Sequence, residues 1–128
     1  MRSFLKSRIQ SFGHAFAGWW YVIRTQRNAW IHALASILTF IIAFWLEVQA
    51  QDWALLLFAI ALVWTAEFIN TALEAAVDLH TQEIHPLAKV GKDVGAAAVL
   101  IAALTAVIIG LLILGPPLWH RLSLFFSR

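Results

Sequence analysis

Glu67, Asn70, Thr71, Glu74 and Asp78 stand at offsets of 0, +3, +4, +7 and +11, directly after an apolar run from Trp53 to Ala66. On a helix of 3.6 residues per turn these offsets stack along one face. A carboxylate in or near hydrocarbon costs roughly 2.5–3.5 kcal/mol on insertion scales. Such a stripe therefore reads as a functional wall, facing a partner helix or a wet cavity. The plainer reading is a polar packing seam in which Asn70 and Thr71 hydrogen-bond between helices. Packing seams rarely need two glutamates and an aspartate.

A second cluster runs His85-Pro86-Leu87-Ala88-Lys89-Val90-Gly91-Lys92-Asp93 and leads into another apolar stretch. Lys89, Lys92, Asp93 and Ala96 recur at helical spacing on one face. Carboxylates are the hard oxygen ligands that Mg2+ prefers, with phosphates and waters completing its shell. Lysines suit phosphate oxygens as point charges. A carboxylate at the lipid edge suits general-base work on a lipid hydroxyl. Together these are the parts of a phosphoryl-transfer site: base, metal carboxylate and phosphate clamp. Charged helix ends pairing across a connection would use the same residues. Gly91-Lys92 is not a P-loop, since no Gly stands five positions earlier and Asp93 replaces Ser/Thr. His80 and His85 are five apart, the wrong spacing for a zinc pair on one helix face. His14 and His32 read as interface residues.

The elements that must position these groups belong to a membrane protein. Of 128 residues, 62% are hydrophobic and 12% charged, against about 45–50% and about 25% in soluble domains. One domain, 1–128, is expected, all-α, with an amphipathic surface helix over 1–24 and spans over 29–48, 53–77 and 94–114. In 1–24, Phe4, Leu5, Ile9, Phe12, Phe16, Trp19, Trp20 and Ile23 recur three to four apart, with Arg2, Lys6, Arg8 and His14 between them. That is the pattern of a basic helix in the headgroup plane. The segment lacks the uninterrupted apolar core of a signal peptide, so it is expected to stay on the mature protein. A polar hinge over 24–28 follows, and residues 79–92 form a polar connection. Gly115-Pro116-Pro117 is expected to stop the third span and leave Leu118–Arg128 as a short amphipathic tail. The seven Trp suit interfacial belts, and the absence of Cys excludes disulfides and thiolate chemistry.

Five Lys/Arg precede the first span, none separate the first and second, two lie between the second and third, and two follow. The N-terminus and the 79–92 connection should therefore be cytoplasmic. Glu67, 14 residues beyond Trp53, would lie about 21 Å in from the outer end at 1.5 Å per residue. In a hydrocarbon core of about 30 Å that is just inside the cytoplasmic boundary. Three spans enclose little, so a second copy is the easiest shelter for the stripe and a homo-oligomer is expected.

Taken together, Glu67-x-x-Asn70-Thr71-Ala72-x-Glu74-x-x-x-Asp78, then His85 and Lys89-x-x-Lys92-Asp93-x-x-Ala96-Ala97, resemble the signature of the prokaryotic diacylglycerol kinase family, which includes undecaprenol kinases of Gram-positive bacteria. Ser11-Phe12-x-His14-Ala15-x-x-Gly18 is similar to the family's surface helix, and Asn28-x-x-Ile31-His32 to the start of its first span. The resemblance implies a homotrimer of three-span protomers in the bacterial cell membrane, with sites between neighbours. It implies transfer of the γ-phosphate of MgATP to a lipid alcohol at the cytoplasmic face. By motif position it implies that Glu67 is the catalytic base and Asn70 helps orient the site. Glu67, Asn70 and Ala96 would then face the lipid substrate. Glu74 matches a metal-binding carboxylate. Glu74, Glu83, His85, Lys92 and Asp93 fall on the nucleotide side, as do His14 and Arg8 on the surface helix. Gln26 stands where many members carry a second metal-binding Glu, and it offers an uncharged amide oxygen instead.

Within that family, Asn28-x-x-Ile31-His32 and His85-Pro86-Leu87-Ala88-Lys89 resemble the undecaprenol branch more than the diacylglycerol branch. The expected partners are ATP, a membrane lipid alcohol and the bilayer, with no nucleic acid. A small oligomeric ion or proton carrier with Glu67 as the ion site is the competing class. The acids crowd one end rather than the midplane, the third span holds no polar relay, and there is no transporter-type repeat.

Overall fold

A computed structural model describes residues 2–80 and 85–126. Among these there are four helices: α1 (Arg2–Thr25), α2 (Arg27–Trp45), α3 (Ala50–His80) and α4 (Pro86–Phe126). The last three are long and apolar enough to cross a membrane. The all-α expectation of one surface helix and three spans holds. Most large apolar side chains, Phe44, Phe58, Leu100, Ile101 and Leu112 among them, face outward, as suits a surface whose solvent is lipid.

The polar hinge narrows to a single residue. Gln26 adopts φ −100°, ψ 118°, and α1 and α2 continue on either side of it. Below this break Val22 and Ala29 are buried with Trp64 of α3. Trp19 stacks on Trp64 with centroids 4.8 Å apart and meets Phe68 at 5.1 Å. Thus α1 is docked by its last two turns, while Ile9, Phe12 and Phe16 remain exposed.

The α2–α3 turn is closed by backbone geometry. Glu47 has φ 54°; its N–H donates to the Phe44 carbonyl at 3.2 Å, and Val48 N–H to the Ala43 carbonyl at 3.3 Å. This is a Schellman turn with glutamate in the left-handed position that glycine usually takes. It sets an antiparallel hairpin in which the pairs Gln26–Glu74, His32–Glu67, Ser36–Trp64 and Ala43–Leu56 mirror about the Gln49–Ala50 junction to within one residue.

The most extensive packing is α3 on α4. Small residues of α4 (Gly95, Ala102) fit the close approach that membrane helices use in place of hydrophobic driving force. Pro86 opens α4 at its first helical position, where the missing N–H is harmless. His85 caps it, its Nδ1 accepting from Leu87 N–H at 3.2 Å.

The expected stop at Gly115-Pro116-Pro117 does not occur. The helix runs through both prolines to Phe126, so Leu118 to Phe126 is the last part of α4 rather than a separate tail. Two prolines remove only two backbone bonds, and their fixed φ is already helical. Ending the helix next to hydrocarbon would strand more carbonyls. Packing beyond the prolines reinforces the continuation. Leu118 joins the cluster of Ala43, Leu46, Leu56 and Leu114, and the Arg121 guanidinium lies 5.3 Å from the Trp45 ring centroid.

Candidate functional site

At the end of the bundle away from the Glu47 turn, α3 presents its polar stripe to α2 and α4. Glu67 is 1% exposed, Thr71 4% and Asn70 7%. The expected shelter by a second copy is thus supplied for these three by the protomer itself. Higher along the stripe Glu74 is half-buried and Asp78 exposed.

Thr71 donates its hydroxyl proton back to the Glu67 carbonyl within its own helix at 2.9 Å. Asn70 Nδ2 donates to Glu74 Oε1 at 3.0 Å, and Gln26 Nε2 donates to Glu74 Oε2 at 3.3 Å. The Glu74 carboxylate is therefore gripped by two amides from two elements. Asn70 owes its position to Gly95: a Cβ there would collide with Asn70 Oδ1 and come within 3.1 Å of Leu73 Cδ2.

Deeper in, Glu67 Oε2 lies 3.7 Å from His32 Nε2. Both atoms, and Asn70 Oδ1, are buried without a hydrogen-bond partner among the described residues. Unpaired buried polar atoms are rare enough in folded proteins that each asks for a function or a bound group. Above, Lys92 of α4 pairs with Asp78 of α3, and Lys89 with Asp93 one turn along α4 at 2.9 Å.

Of the sequence-predicted residues, the structure joins Asn70, Glu74 and Gln26 into one hydrogen-bonded group, with Glu67 buried deeper on the same face of α3 and Lys92 paired to Asp78 nearer the end of that helix. Asp93 turns to Lys89, His85 caps α4, and Ala96 is exposed. His14 and Arg8 sit on exposed positions of α1, roughly 7 and 16 Å along the helix from its docked Trp19 at 1.5 Å per residue. Glu83 lies outside the described residues. Sequence reasoning missed His32 as a partner of Glu67 and Gly95 as the backing of Asn70, whereas the Asp78–Lys92 pair is the pairing of charged helix ends that it had weighed. The hairpin register could have revealed the first.

A metal at this end would meet one carboxylate, Glu74, and one amide, Gln26; no cluster of three or more His, Cys, Asp or Glu forms among the described residues. Mg2+ commonly takes one or two protein oxygens and keeps waters and substrate phosphates for the rest. The donor set fits a nucleotide-borne Mg2+.

Residues 13–114 match the family described as prokaryotic diacylglycerol kinase. The chain belongs to the prokaryotic diacylglycerol kinase family. It is a membrane protein, with three helices long and apolar enough to span a bilayer. An undecaprenol kinase of Bacillus subtilis (strain 168) is 41% identical over 117 residues, covering 91% of this chain and 95% of its own. A diacylglycerol kinase of Synechocystis is 45% identical over 109 residues, 84% of this chain and 62% of its own. A diacylglycerol kinase of Escherichia coli (strain K12) is 41% identical over 95 residues, 69% and 78% respectively. The matched stretch ends at Leu114, before the prolines that α4 passes through.

Proposed function

We propose that this protein transfers the γ-phosphate of MgATP to the hydroxyl of a membrane lipid, undecaprenol in the first place. The observation that carries this reading is Glu67, a fully buried carboxylate with an unpartnered oxygen, two turns below the amide-gripped Glu74. Seven residues of helix separate the two by about 10 Å. The spacing supports reading Glu67 as a proton acceptor within the apolar layer, where a lipid alcohol resides. It likewise supports reading Glu74 as a cation ligand at the level where a nucleotide would arrive.

In the reaction, Glu67 accepts the proton of the lipid hydroxyl as its oxygen attacks the γ-phosphorus. Asn70 holds Glu74, and Lys92 leaves Asp78 for phosphate oxygens. Glu74 and the Gln26 amide oxygen would hold Mg2+, which neutralises charge on the phosphates when bound. Asp93, His85, Glu83, His14 and Arg8 are assigned to the nucleotide side, and Ala96 to the lipid. We place the N-terminus and the site at the cytoplasmic face of the bacterial membrane, on the excess of Lys and Arg there.

A homotrimer with sites between protomers is part of the proposal. The open upper end of the stripe and the exposed face of α1 support it, and cross-linking in detergent should stop at three. A specific similarity keeps diacylglycerol as second substrate: the Synechocystis diacylglycerol kinase at 45% identity.

The test is transfer of label from γ-labelled ATP with Mg2+ to undecaprenol and to diacylglycerol in matched mixed micelles. Label is expected in lipid and lost by about 10²–10⁴-fold in Glu67→Gln, the range a general base supplies. No label in either lipid from folded protein would refute the kinase reading. A larger signal in diacylglycerol would reverse the choice of substrate.

A further inference from the structure

The His32 ring of α2 is set against two residues of α3, Trp64 and Glu67. It meets Trp64 edge-on with centroids 6.4 Å apart. The Trp64 indole N–H donates to Ser36 Oγ at 3.3 Å, and the Ser36 hydroxyl donates to the His32 backbone carbonyl at 2.7 Å. The aromatic partner of the ring is thus tied through Ser36 to the backbone of His32 itself. The side chain is 13% exposed, and its Nε2 is buried with no hydrogen-bond partner among the described residues. The atom facing it at 3.7 Å is Glu67 Oε2, also buried and also unpartnered.

Two buried polar atoms that face each other just beyond hydrogen-bonding reach are complementary if the imidazole carries its proton on Nε2. A shift of well under 1 Å in either side chain would bring them within the ordinary N–H···O range of about 2.7–3.2 Å. A carboxylate with no donor rotates about its last torsion, since such sp3–sp2 torsions are broad. A carboxylate with one oxygen held presents the other in a fixed direction.

We infer that His32 is a positioning residue for Glu67: its Nε2–H holds Oε2 and leaves Oε1 directed at the proton of the lipid hydroxyl. The balance of the step is unchanged. The alcohol proton passes to Glu67 Oε1, the alcohol oxygen bonds to phosphorus, and the leaving oxygen departs with ADP. His32 exchanges no proton. This inference rests on the reading of Glu67 as the base, and it adds a residue of α2 to a proton transfer otherwise assigned to α3 alone.

The experiment compares His32→Gln, His32→Asn and His32→Leu, with Glu67→Gln alongside, in lipid transfer with ATP and lipid each varied up to saturation. A Gln amide reaches about as far from the backbone as Nε2, whereas an Asn amide stops short of it. Loss of alignment by about 1 Å is worth up to about 10²-fold. His32→Leu and His32→Asn should therefore lose about 10–10²-fold in kcat with both KM values little changed. His32→Gln should retain kcat within about threefold. Because Gln and Asn are both polar, their contrast stands even where Leu fails to fold.

Equal kcat in the Gln and Asn variants would overturn the positioning role, as would wild-type kcat in His32→Leu. The two readings fail separately. Full activity in Glu67→Gln removes the base itself, whereas its loss alongside an unaffected His32→Asn overturns His32 alone.

Discussion

Gln26 Nε2 donates to Glu74 Oε2 at 3.3 Å, so the residue that breaks α1 from α2 is also the one that closes over the carboxylate of α3. With Asn70 on the other oxygen, each carboxylate oxygen of Glu74 accepts from one neutral amide. A cation arriving with nucleotide would meet one formal negative charge, and the Gln26 amide would turn its oxygen inward.

Gln26→Glu should supply the missing charge. The Mg2+ concentration for half-maximal rate is expected to fall by about tenfold, since adding a carboxylate ligand tightens hard-cation sites. In chelator the same variant should melt lower than wild type, because two carboxylates then face each other without a counter-ion. Mg2+ titration of the rate, and thermal unfolding with and without Mg2+, check both halves.

Asp78 holds Lys92 across the two sides of the 81–84 connection. Both groups are substantially exposed, so the pair adds little to stability. Asp78→Asn should leave the melting temperature nearly unchanged and lower KM for ATP by about two- to fivefold, as Lys92 becomes free for phosphate. Lys92→Ala should raise KM for ATP by about tenfold or more. Steady-state kinetics in ATP at fixed lipid measure both.

Gly95→Ala and Gly91→Ala make a matched pair one helical turn apart. The first puts a methyl into Asn70 and Leu73, whereas nothing lies within 4 Å of a Cβ at the second. Gly95→Ala should cost more than tenfold in rate and about 1–3 kcal/mol in stability through overpacking. Gly91→Ala should keep its activity and gain up to about 1 kcal/mol from helix propensity. Activity and unfolding of the two variants, side by side, separate collision from simple helix stiffening.

Trp19 is the main aromatic tie between α1 and the bundle. Trp19→Ala should release α1, seen as faster amide exchange over 8–22 with that of α3 unchanged. Because His14 and Arg8 are assigned to the nucleotide side, KM for ATP should rise several-fold in the same variant.

The three spans and the stripe of Glu67, Asn70 and Glu74 were legible because hydropathy and a 3.6-residue period are local properties. His32 was not, because a single histidine on an apolar helix carries no signal until the hairpin register sets it against Glu67. That register depends on a turn whose left-handed residue is Glu47 rather than glycine, so the usual marker was missing. Gly95 escaped because its contribution is an absent side chain. The prolines misled for a related reason: their rule comes from helices in water, where an interrupted backbone can be hydrated. Residues 116 and 117 follow an apolar span whose core packing continues at Leu118.

The Schellman turn at Glu47 lies 20 residues before Glu67, and the 17 residue steps of α3 from Ala50 to Glu67 span about 26 Å at 1.5 Å per residue. Turns at the far side of a protein are ordinarily where chain length drifts most freely. Here a single inserted residue would rotate α3 by about 100° against α2 and swing Glu67 away from His32, Glu74 away from Gln26 and Trp64 away from Ser36 together. The quietest corner of the molecule is thus the one whose length the chain can least afford to change.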